Sequence, residues 1–85
     1  MLSISLEDTN KVILLGTLSL KVNDPFQGKR YANEAIFLAK KLNYPKGIAI
    51  ATKNLGVNYK RLGKSESAFA NYFKAATMFE KLGDR

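Results

Sequence analysis

Laid over itself with a shift of forty residues, the chain repeats its own punctuation. Leu15-Gly16 falls on Leu55-Gly56, Lys21 on Arg61, Ala35 on Ala75 and Lys41-Leu42 on Lys81-Leu82. Asn23, a helix stop, falls on Gly63, another. The coincidences sit at small residues and at the ends of elements, where a stacked repeat needs them. Each unit of such a protein is one supersecondary element that hides its apolar face only against a neighbour. Two units of this length fill the 85-residue chain, which is therefore expected to be one small domain, 1–85, with a modest core.

Each unit reads as two helices. In the second, Pro45 suits a first helical turn, where its missing N–H costs nothing. Ala51, Leu55, Tyr59 and Leu62 then recur on one helix face, and Gly63 ends the helix as a left-handed cap. A further helix carries Ala68, Tyr72, Ala75, Phe79 and Leu82 until Gly83 stops it. The first unit follows the same plan from about Asp8 to Val22, with Ile13, Leu14, Leu18 and Val22 as candidate core. Asp24-Pro25-Phe26-Gln27 begins its second helix as a capping signature, Asp24 accepting from orphan backbone N–H groups and Gln27 reaching back. That helix runs to about Leu42 and is expected to bury Tyr31, Ala35, Leu38 and Leu42, with Tyr44-Pro45 as the turn between units. Strand-like alternation is confined to Leu2, Ile4 and Leu6. The expected fold is all-α, about four helices in two stacked helical hairpins.

Asn54-Leu55-Gly56, followed by Tyr59, Gly63, Ala68, Tyr72 and Ala75, resembles the signature of tetratricopeptide repeats. The resemblance implies a helical-hairpin solenoid fragment, with a first repeat over 8–44 and a second over 45–85. In that family the small residues at Gly56, Ala68 and Ala75 let paired helices approach, and Tyr59, Tyr72 and Phe79 fill the space between them. The first repeat is degenerate, with Gly28 where Ala68 stands and Ser19 where Tyr59 stands. The period exceeds the family's usual length of about 34 residues. The longer variant is shared by animal spindle-orientation adaptors, kinesin light chains and the sensory regions of bacterial signalling proteins. The stretch Leu42-Asn43-Tyr44-Pro45-Lys46-Gly47-Ile48-Ala49 and the ending Glu80-Lys81-Leu82-Gly83-Asp84 look most like the bacterial group. That implies a sensory or scaffolding region of a signal-transduction protein.

The chemistry carried by the chain is narrow. There is no Cys and no His, which removes disulfides, thiolate nucleophiles, imidazole bases and the usual zinc sites. Of the seven acids, Asp8, Asp24 and Glu66 sit where caps or helix dipoles account for them, and Asp84 is expected to be solvated. No two of the acids form an evident acid–base pair, and no phosphate loop or nucleophile elbow is present. The chain is read as a binding module, not an enzyme, with no catalytic residues, no cofactor and no metal. No apolar run is long enough to span a membrane, and the first six residues lack the basic start of a signal peptide.

Binding is the reading the residues support. The net charge of +7 favours anionic partners (acidic peptides, nucleic acid or anionic lipid) without choosing among them. Lys46, Lys53 and Lys60 are spaced by seven and share a helix face with Ile50 and Val57. Such a cationic stripe with apolar patches suits an acidic or C-terminal peptide segment; its alternative reading is a solvated lysine face that keeps the chain in solution. In the tetratricopeptide family the first helix of each repeat lines the concave groove, and an Asn at the place of Asn54 often bonds the ligand backbone. The candidate groove is therefore Lys46, Ile50, Lys53, Asn54, Val57, Lys60 and Arg61. The family's carboxylate clamp also needs an Asn where Val57 stands and polar groups where Ile13, Leu14 and Thr17 stand, so the resemblance does not extend to chaperone-tail binding. A second candidate surface is Phe69, Phe73 and Ala76, an apolar face beside the core face of the last helix. It implies either packing within the chain against the first unit, or stacking or self-association with a second copy or with further repeats after Arg85, since roughly three repeats are usual for stability. Nucleic acid is the weakest reading: the basic pairs Lys29-Arg30, Lys40-Lys41 and Lys60-Arg61 come from different helices and straddle faces.

Overall fold

The computed structural model describes residues 6–83, and the environments of their side chains from residue 8 onward. Leu2, Ile4 and Asp84 lie outside these residues. The chain is all-α: α1 (Leu6–Lys21), α2 (Pro25–Lys41), α3 (Pro45–Arg61) and α4 (Ser65–Gly83). The last three helices begin at 25, 45 and 65, so the period of forty is itself made of two halves of twenty.

Local chemistry sets this rhythm. Phe26 N–H donates to the Asp24 carboxylate at 3.0 Å, and Pro25 occupies the first turn of α2. After α3, Gly63 enters the left-handed region (φ 78°), as expected from the sequence. Its N–H donates to Lys60 O at 3.0 Å and that of Lys64 to Tyr59 O at 2.9 Å, closing a Schellman turn. The same turn ends α2, with Asn43 at φ 54°, its N–H on Lys40 O and Tyr44 N–H on Ala39 O at 2.8 Å. Asn tolerates this conformation because its short side chain is polar.

The helices pack in order, α1 on α2, α2 on α3 and α3 on α4, and α1 also meets α3. The second hairpin closes as the sequence implies. A Cβ on Gly56 would lie 3.0 Å from the Tyr72 ring and 3.2 Å from Ala68 O, so the two helices meet backbone to side chain. Ala68 and Ala75 are buried beside this contact. The core is built largely from alanine: Ala32, Ala35 and Ala39 of α2 and Ala49 and Ala51 of α3 are enclosed, with Val12 of α1 and Leu55 of α3.

Two expectations about the core are corrected. Ile13 and Leu14 are exposed, and α1 buries Val12, Gly16 and Ser19 instead; Leu18 and Val22 are half-buried. The face turned inward is the one whose small residues admit a neighbour. Phe79 and Leu82, expected as core, are instead 36% and 43% exposed, because α4 packs on α3 alone among the described residues.

The replacement of a large residue by Ser19 and of Ala by Gly28 has a physical reason. Asn58 of α3 is fully enclosed there, donating to Ser19 O at 2.9 Å and to Asn54 O at 3.1 Å. A Cβ on Gly28 would collide with the Asn58 amide oxygen and lie 2.6 Å from Ser19 O. Ser19 folds its hydroxyl back onto Gly16 O at 2.6 Å, keeping its volume out of the slot. Gly28→Ala should therefore lower stability in urea denaturation: overpacking costs about 1–3 kcal/mol, more than the roughly 1 kcal/mol that Ala gains over Gly in a helix.

Candidate peptide-binding face

The side of α3 turned away from α2 and α4 divides into two rows. The outer row is the stripe expected from the sequence. Lys46, Lys53 and Lys60 are all exposed, and Ile50 and Val57 lie half-buried between them. Successive lysines stand about 10 Å apart along the axis at a helical rise of about 1.5 Å per residue. On α1, the positions equivalent to Lys53, Val57 and Lys60 are Ile13, Thr17 and Leu20, also exposed. The Thr17 hydroxyl donates to Ile13 O at 3.0 Å within its own helix, which leaves the α1 row mainly apolar. The face thus pairs a cationic row with an apolar one.

The inner row works differently. Asn54 is buried and donates to Gly16 O at 3.3 Å, while its amide oxygen is enclosed without a partner. Arg61 donates from Nη1 to Asn58 Oδ1 at 2.9 Å. From Nη2 it reaches Val22 O at 2.8 Å and Asn23 O at 2.9 Å. Those carbonyls end α1, where a helix has no internal donors left and carries the negative end of its dipole. Of the seven candidate groove residues, five form the outer stripe, and Asn54 and Arg61 hold α3 to α1 beneath it. Asn58, which links these two, was not singled out from the sequence. Its signal was there: Asn54, Asn58 and Arg61 recur at spacings of four and three, a polar ladder on one helix face.

A separate cleft lies on the opposite side of α3, between α2 and α4. It holds about 220 Å³ over a floor of Ile48, Thr52 and Leu55, with Lys40 on one wall and Lys74 on the other. The basic pairs are dispersed: the Lys29 ammonium sits 5.5 Å from the centre of the Tyr59 ring, and Arg61 is committed to α1. Phe69 and Phe73 stand 72% and 68% exposed on α4, with Ala76 exposed beside them. Among the described residues no cluster of acids could hold a metal ion, and no helix is long and apolar enough to cross a membrane. Comparison with family models, curated proteins and solved structures gives no match.

Removing the enclosed amide should uncouple the hairpins. Asn58→Ala leaves Ser19 O without its donor and Arg61 Nη1 without its acceptor, and should cost about 1–3 kcal/mol in chemical denaturation. Because Arg61→Ala breaks the same network, the double variant should be less destabilised than the sum of the two single ones.

Proposed function

We propose that the chain is a peptide-binding repeat module of the tetratricopeptide type, in which the outer stripe of α3 receives an acidic segment of another protein. The observation that carries this reading is the exposed row of Lys46, Lys53 and Lys60, interleaved with Ile50 and Val57 and set beside the apolar row of α1. Ammonium groups at this spacing engage carboxylates on alternate turns of a helix or along an extended peptide, while the apolar positions take up side chains between them. The two rows are held in register beneath the stripe, where Asn58 donates to Ser19 O and Arg61 to Val22 O and Asn23 O. The forty-residue period, the texture of the turn at Tyr44-Pro45 and the binding surface support a sensory or scaffolding role in bacterial signal transduction.

Lys53→Glu combined with Lys60→Glu should abolish capture of an acidic peptide in a fluorescence titration and leave helical circular dichroism unchanged. Lys40→Glu with Lys74→Glu, on the opposite cleft, should leave capture intact. Equal loss from both pairs would mean that overall charge, not the stripe, does the binding.

A second reading, self-association, is favoured by one observation: two neighbouring phenylalanines of α4 stand largely in solvent. Exposed aromatic pairs of this kind mark contact surfaces. Light scattering that finds only monomer at high concentration would remove it.

A further inference from the structure

The shift of forty residues that relates the two sequences also relates their burial, and it isolates one face at each end of the molecule. On α2, three positions are turned toward α3. Lys29 lies over the Tyr59 ring, Ile36 shares the cleft with Ile48 and Leu55, and Ala39 joins Ala51 in the core. Their counterparts on α4 are Phe69, Ala76 and Phe79, all exposed. The rim position Asn33 corresponds to Phe73. On α4, then, the face that α3 covers on α2 is uncovered, and it is more apolar than its twin.

The other end shows the converse. Asn54 is 3% exposed where α3 lies on α1, and its counterpart Leu14 is 58% exposed. Asn58 is fully enclosed, and its counterpart Leu18 is half-buried. Here it is α1 whose docking face lacks the neighbour that α3 has.

We infer that these two faces are the halves of one interface between copies of this chain, with α1 of a second copy lying on α4 and α3 of the first as α3 itself lies on α2 and α1. This rests on the self-association reading and adds its mode, head-to-tail stacking. The chemistry of the two faces matches. Inside the chain, Asn54 and Asn58 meet backbone carbonyls laid open by Gly16, Ser19 and Gly28. At the equivalent places between copies stand Gly56, Tyr59 and Ala68, where the slot for an amide is filled, and the incoming residues are leucines. Lys21, the counterpart of Arg61, would face the carbonyls of Leu62 and Gly63, the counterparts of Val22 and Asn23. Removal of aromatic and aliphatic surface from water supplies the driving force. An interface between unlike faces leaves one of each kind free on a dimer, so association continues past the dimer into an open series, or into a ring if the rotation between copies closes.

Sedimentation equilibrium of the 85-residue chain should show association that grows with concentration past the dimer. Phe73→Asp and Leu14→Asp both alter exposed side chains and should keep the helical spectrum. Each should weaken association by roughly tenfold or more. An equimolar mixture of the two variants should give a one-to-one heterodimer and nothing larger, since each keeps one intact face. A wild-type chain that stays monomeric at high concentration overturns the inference and the self-association reading together. Assembly abolished by Phe73→Asp but untouched by Leu14→Asp overturns the head-to-tail mode alone and indicates α4 paired on α4.

Discussion

The contact on which the arrangement of the two hairpins depends is a single carboxamide. Asn58 occupies a slot that exists only because residue 28 has no side chain and residue 19 has a small one. Hydrogen bonds are directional, and a buried amide displaced from its partners costs free energy. The ladder of Asn54, Asn58 and Arg61 therefore fixes how far α3 slides along α1 and how it is rotated. Apolar packing alone, with alanine facing alanine, would set that register weakly, since alanine offers no distinctive shape. The polar groups supply the specificity that the small core lacks, at the cost of one amide oxygen on Asn54 left without a partner.

With the register fixed, each side of α3 has its own occupation. Toward α4 it presents Gly56, against which the Tyr72 ring lies. Toward α2 it presents Ala51 and the Tyr59 ring, toward α1 the polar ladder, and toward solvent the lysine stripe. A helix enclosed on three sides is a rigid support for whatever its fourth side contacts. The helix backbone has little conformational freedom left to lose on such a contact, while the exposed lysine side chains keep theirs.

Much of this was legible in the sequence, and the physical reason is that turns are local. Pro25, Pro45 and Gly63 mark helix ends through constraints that need no tertiary partner. The second hairpin was legible in part: Leu55, Ala68 and Ala75 recur at helical spacing and are buried, whereas Phe79 and Leu82 follow the same spacing and are not. The inner face of α1 was not. Ile13, Leu14, Leu15, Leu18 and Leu20 surround the helix, so periodicity could not choose a side, and the choice fell to the small residues Gly16 and Ser19. Asn58 escaped for the opposite reason. A polar residue on an inward face contributes nothing to an apolar pattern, and its partners are main-chain carbonyls that no sequence displays. Of the candidate groove, the exposed lysines followed from spacing alone, whereas the roles of Asn54 and Arg61 depend on how α3 meets α1.

The alanine-rich interior has a thermodynamic consequence. Among the described residues the largest side chains fully enclosed are Asn58 and Ser19, both polar. Unfolding such an interior brings comparatively little hydrocarbon into contact with water. The heat-capacity increment is set by that newly wetted apolar area, with polar groups acting in the opposite sense. To the extent that alanine stands in for larger core residues, the curve of stability against temperature is flattened, which favours a gradual transition on heating and resistance to cold.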